Sequence, residues 1–231
     1  MNSNKKAKFR ELKIDLNGQK YPIFVEFKPK SSRLIVKLVD DYILVQTGLV
    51  LSDEVLIRSV RNSKYFNKII NILPLRQVLH FSESFFYLFG KKNYFSLIKT
   101  KNKLYLQSQF AIFSLGRPKN VEAKIEKLLM KHFEDYLIQR TNFWTKTLAV
   151  PDYIVKLSRK NTSWGTNYYR QKIHYSKYLF AFSKEIIDYV IVHEVVHHFF
   201  RNHGKLFWEK IGKIIPNYTD LVKKLTNYEL N

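Results

Sequence analysis

The sequence predicts an α+β protein: a β-rich N-terminal region over residues 1–117, then a helical domain over residues 118–231 with a β-hairpin beside one buried helix. Three observations carry this expectation. Short apolar and aromatic runs separated by turn residues fill the chain up to Pro118. Helical periodicity dominates after it. Finally, 186–200 is apolar on nearly every face, the pattern of a helix enclosed by protein.

The elements follow in order. Residues 10–16 and 20–27 flank Asn17-Gly18, the strongest short hairpin signal. A second pair, 34–38 and 42–46, turns at Asp40-Asp41, so the start of the chain is expected to be a β-meander. Ser52 is placed as an N-cap, with Asp53 and Glu54 in the first turn where the helix dipole favours them. That helix is expected to reach about Ile70, with Leu56, Val60, Phe66, Ile69 and Ile70 turned inward. Strands return at 85–89, 94–98, 104–107 and 111–115, with turns at Gly90–Asn93 and Thr100–Lys103. Their aromatics sit within strand-like runs, which fits core packing rather than base stacking.

Pro118 and Asn120 open a long helix from Val121 to about Trp144, with Val121, Ile125, Leu128, Leu129, Tyr136 and Leu137 on one face. His132 beside that stripe and His80 are expected in core or boundary positions. Pro151 closes this unit. A short strand at 153–157 follows, then a hairpin within 158–179 around a polar turn at Asn167–Gln171. Ser183 is the expected N-cap of the next helix.

Composition limits the function classes. Of 231 residues, 45% are apolar and 26% charged, which describes a globular protein with a core. The chain has no cysteine, so imidazole and carboxylate are the available metal donors. Apolar runs fall short of the roughly 18 residues a membrane helix needs. The polar N-terminus shows no secretory signal, and the expected location is cytoplasmic. Forty basic against nineteen acidic residues give a net charge of +21. Such a surface attracts nucleic acid or another polyanion with salt-dependent affinity, although these lysines are scattered rather than blocked.

The densest chemistry lies at His193–His203, HEVVHHFFRNH, which holds four of the seven histidines. His193 and His197 are four residues apart on a helix, so their rings share a face one turn apart. That spacing lets both reach one zinc ion. Glu194 beside the first ligand is rotated away from ligation and can take a proton from water activated there, the logic of HExxH. An unbroken helix would carry His203 about 9 Å along the axis from His197. For His203 to be the third ligand, the helix must end between them, and Arg201-Asn202 is the expected break because asparagine tolerates the left-handed conformation. His198 breaks the ligand face and is assigned to the surroundings of the site or to solvent. Phe200 stands where metzincins have a glycine, so a different fold is expected around the same ligands.

These residues resemble the YgjP-like metallopeptidase family, which is related to the SprT-like and WLM zinc peptidases. The likeness rests on Ile187-Asp188-Tyr189-Val190-Ile191-Val192-His193-Glu194, His197, Asn202-His203, Phe207-Trp208 and Pro216. Ser163–Asn167, SWGTN, stands where the family has RWGSC, with Ser163, Thr166 and Asn167 replacing arginine, serine and cysteine. The resemblance implies a zincin-like metallopeptidase domain hydrolysing peptide bonds. Zn2+ would be held by His193, His197 and His203, with Glu194 as catalytic carboxylate. Trp164 and Gly165 are expected to serve packing and turn geometry. Tyr175, Tyr218 and Arg201 are candidates to stabilise an oxyanion. The alternative is a DNA-associated zinc protein, either a protease acting on DNA-bound proteins or an inactive scaffold.

Overall fold

The computed structural model describes residues 9–16, 19–39, 42–64, 66, 69, 72–73, 75, 77–109, 111–158, 163–169 and 171–230. It is an α+β fold, in two compact units over residues 1–77 and 78–231. No helix among the described residues is long and apolar enough to cross a membrane.

The first unit is a four-stranded sheet of β1 (Phe9–Leu16), β2 (Gln19–Phe27), β3 (Ile35–Val39) and β4 (Tyr42–Thr47). Leu16 pairs with Gln19 and Val39 with Tyr42; the residues expected to form the turns, Asn17-Gly18 and Asp40-Asp41, lie outside the described ones. The sheet is not the expected meander: its order is β1-β2-β4-β3, and β2 and β4 run parallel. The reason is the apolar pattern. Ile23 and Val25 of β2 and Ile43 and Val45 of β4 are buried, and adjacent central strands cover these faces best. Helix α1 (Asp53–Arg61) starts at Ser52, whose hydroxyl accepts from Val55 N–H. It stops at Asn62, short of the expected Ile70, where Ser63 N–H donates to the Val60 carbonyl and tightens the last turn. Ile70 lies outside the described residues. Phe66 and Ile69 do turn into the core formed with Leu56 and Val60.

The second unit begins with a five-stranded antiparallel sheet in chain order: β5 (Leu79–His80), β6 (Phe85–Leu88), β7 (Lys91–Lys99), β8 (Leu104–Ser108) and β9 (Ile112–Gly116). The β6–β7 turn is tighter than expected. It uses only Phe89 and Gly90, both with positive φ (51° and 77°), as a two-residue primed turn requires. His80 is buried and stacked on Phe85, and His132 lies against Phe89 and Phe113. The strand-to-helix change at residues 117/118 falls inside this unit. Phe89 and Gly90 amides donate to the carbonyls of Phe180 and Ala181, which ties the sheet to the chain just before the histidine helix.

Helix α2 (Val121–Thr147) starts at Asn120, whose side chain accepts from Ala123 N–H. Its buried line, Ile125, Leu129, Phe133, Leu137, Thr141 and Thr145, repeats every four residues. A three-stranded sheet follows: β10 (Ile154–Ser158), β11 (Gly165–Tyr168) and β12 (Lys172–Ser176). The order β10-β12-β11 leaves β11 at the edge. Helices α3 (Lys184–Val196), α4 (Lys205–Ile214) and α5 (Tyr218–Asn227) complete the unit. Arg140 of α2 grips Asp188 of α3 in a two-pronged pair, with N···O distances of 2.9 and 2.5 Å. This planar fork sets how α2 lies against the helix that carries the histidines.

Candidate metal centre

Helix α3 builds the site. Ser183 caps its start, its hydroxyl accepting from Ile186 N–H, and Ile186, Ile187, Val190, Ile191, Val192, Val195 and Val196 are all buried. A helix wrapped this way is fixed along its length by packing, and that fixes the direction of the side chains in its last turn. His193 and Glu194 occupy that turn. His197 is the C-cap and keeps helical dihedrals (φ −59°, ψ −13°), so its ring stays on the face of His193.

The break between His197 and His203 is present, but it comes earlier than expected. The helix ends at Val196, and His198 and Phe199 amides donate to the carbonyls of Val195 and Val196 in a tightened turn. Neither Arg201 nor Asn202 has positive φ, so no left-handed asparagine makes the stop. Phe199, expected on the buried helix, is 41% exposed beneath the Lys210 ammonium. The early stop lets the chain return, bringing His203 Nε2 to 2.9 Å from His193 Nε2.

One donor atom from each of His193, His197 and His203 lies within 4.8 Å of the others. Each ring is held from outside. His197 Nδ1 lies 2.9 Å from the Phe200 carbonyl, which can only accept, so Nδ1 carries the proton and Nε2 is the free donor. His193 Nδ1 lies 3.4 Å from the Tyr189 hydroxyl, one turn back on α3. His203 stacks on Trp208, which stacks in turn on Tyr218. Phe207 contacts all three rings. Burial, then the neighbouring His197 and His203, pushes His193 down to about 3, and burial likewise lowers His203. Three converging imidazoles with no fourth protein donor grouped among the described residues fit a three-ligand ion with one open position. His198 is outside the cluster, its Nδ1 3.1 Å from the Tyr153 hydroxyl.

Glu194 is 6% exposed and faces β11. A Cβ added at Gly165 would lie 2.5 Å from Glu194 Oε1, so only glycine leaves room for this carboxylate. The expected packing role of Gly165 is therefore packing against Glu194 itself. Trp164 packs on Phe182 and Tyr228. Two contributions were not legible beforehand. Asn167 donates from its side-chain amide to the Glu194 carbonyl at 2.6 Å. Tyr189 lines the site, and its place four residues before His193 was the signal that could have found it. The histidines and Glu194 open on a cleft of about 530 Å³, walled by Trp164, Tyr169, Tyr189 and Arg201. Among the oxyanion candidates only Arg201 lines this cleft, its guanidinium 4.3 Å above the Tyr169 ring. Tyr175 is fully buried on Thr141, and Tyr218 faces a separate groove beside Trp208.

Burial pushes the Glu194 carboxyl up to about 7, opposed by a hydrogen bond from the Asn167 backbone. The raised value has a sign consequence for the metal-free protein. The protonated carboxyl is tolerated at low pH, and stability is lost as pH rises through 7, by up to about 3 kcal/mol. Metal-free Glu194→Gln should therefore match wild type near pH 4.5 and exceed it above pH 7 in urea denaturation. The low-pH loss caused by His193 is common to both proteins and cancels in the difference. An equal gap at both pH values would refute the assignment.

The family model for the YgjP-like metallopeptidase domain matches residues 68–228, more than half of the chain. No curated protein and no solved structure gives a significant match.

Proposed function

We propose a function from one premise: the chain belongs to the YgjP-like metallopeptidase family. Our reading is a zinc-dependent peptidase in which His193, His197 and His203 hold Zn2+ and Glu194 is the general base. The observation that carries it is three converging imidazoles beside a buried carboxylate, all opening on one cleft. When bound, zinc supplies Lewis acidity that polarises a carbonyl and acidifies water.

The chain's own residues do the rest. Glu194 accepts the proton of the attacking water and delivers it to the leaving amine, as a carboxylate poised near neutrality can. The edge strand β11 runs along the cleft, where an extended peptide would lie beside it. Trp164, Tyr169 and Tyr189 exclude water and give apolar contact to substrate side chains. Arg201 is the arginine that lines the cleft, and its guanidinium is the donor assigned to the developing oxyanion charge. Replacing Arg201 by alanine should lower kcat about 100-fold with a smaller change in KM, and unchanged kcat would remove Arg201 from this role.

A peptide-library cleavage assay with wild type and Glu194→Gln, with and without DNA, tests the reading. Cleavage by wild type alone supports a peptidase. Cleavage that needs DNA and fades steeply with salt supports the second reading, proteolysis of DNA-bound proteins, which the net charge of +21 favours. No cleavage under either condition, with zinc bound, leaves the scaffold.

A further inference from the structure

We propose that Asn167 is a positioning residue of this centre: from the neighbouring strand it caps the end of α3, and so holds Glu194 and the turn that returns His203. The proposal rests on the reading of Glu194 and the three histidines given above.

The argument starts from backbone accounting. The last carbonyls of a helix lose their partners where it ends. In a continued helix, His198 N–H would serve the Glu194 carbonyl. Here it donates to Val195 instead, at 2.9 Å, because the helix stops at Val196. The Glu194 carbonyl is thereby released in a residue only 6% exposed, where an unmet acceptor is costly. The side-chain amide of Asn167 reaches across from β11 and donates to it at 2.6 Å.

The strand presents two residues to this one glutamate. Gly165 and Asn167 are two apart on β11 and share a face. Gly165 leaves space for the carboxylate, and Asn167 holds the main chain of the same residue. Asparagine suits this because its carboxamide offers donors of fixed geometry. The resemblance to the family places a cysteine here, a weak donor. The early stop, in turn, permits the 2.9 Å approach of His203 to His193. Asn167 thus joins the wall that receives substrate to the helix end that carries the chemistry.

The test uses the zinc-loaded full chain. Asn167→Leu keeps the size and removes the donor, Asn167→Ala serves if the leucine variant does not fold, and Asn167→Cys restores a weak donor. Three quantities are read: kcat and KM for a cleaved peptide, zinc per chain, and amide exchange at residues 197–201. The expected result is a 10- to 100-fold drop in kcat with KM within twofold, zinc retained, exchange at 197–201 at least tenfold faster, and part of kcat recovered by cysteine. Wild-type kcat and exchange in the donor-free variants would overturn the proposal. So would a loss of zinc with unchanged kcat per bound zinc, which marks a merely structural role. If wild type cleaves no peptide, the peptidase reading fails, and the exchange measurement alone still decides whether Asn167 caps the helix.

Discussion

Glu194→Gln is expected to keep about one zinc per chain and to lose peptide cleavage by a factor of about 10²–10⁴, the usual scale for removing a general base. The substitution separates two roles that a larger change would confuse. Glutamine keeps the length and planarity of the side chain, so the space that Gly165 leaves is still filled and the helix end still accepts from Asn167. It cannot accept a proton at neutral pH. Glu194 is also not grouped with the three histidines that could hold a metal, so metal content should not change. In the metal-free protein its burial brings the carboxyl up to about 7, in the direction that makes a carboxylate a stronger base than an exposed glutamate. Metal analysis alongside single-turnover cleavage measures both halves. Full cleavage by the variant would reject the general-base assignment, and zinc loss would move Glu194 from base to structural support.

The convergence of the three histidines was legible in the sequence because helical spacing is a strong local rule. His193 and His197 share a face in any regular helix, and the length of an unbroken helix forced the stop before His203. Local rules also placed the caps at Ser52, Asn120 and Ser183, where the side chains accept from the amides expected of them. Choices made by tertiary contact were not legible. The helix stops before Arg201-Asn202, in a tightened turn beside the contact from Asn167 on another strand, which local preference at Asn202 does not reveal. The parallel pairing of β2 and β4 likewise depends on which apolar faces meet, which alternation within one strand does not reveal. Gly165 was visible as a glycine in a hairpin, but its purpose appears only once Glu194 lies against it.

His203→Ala should reduce zinc affinity by more than about 100-fold, beyond the loss typical of removing a group that merely supports a ligand. His203 is the most exposed of the three donors and the only one outside the helix and its cap, so its removal leaves α3 intact. Its ring lies between His193 and the stacked pair Trp208 and Tyr218. Alanine therefore removes a donor and opens a gap beside the ion, while Phe207 still packs on His193 and His197. Two imidazoles alone hold zinc weakly, and cleavage should fall with occupancy. His198→Ala is the matched control, because that ring is spent on Tyr153 and should leave zinc unchanged. Chelator competition on both variants gives the affinities directly. Equal zinc affinity in His203→Ala and wild type would exclude His203 as a ligand. Loss of zinc in His198→Ala would show that the ligand set has been drawn on the wrong face of the turn.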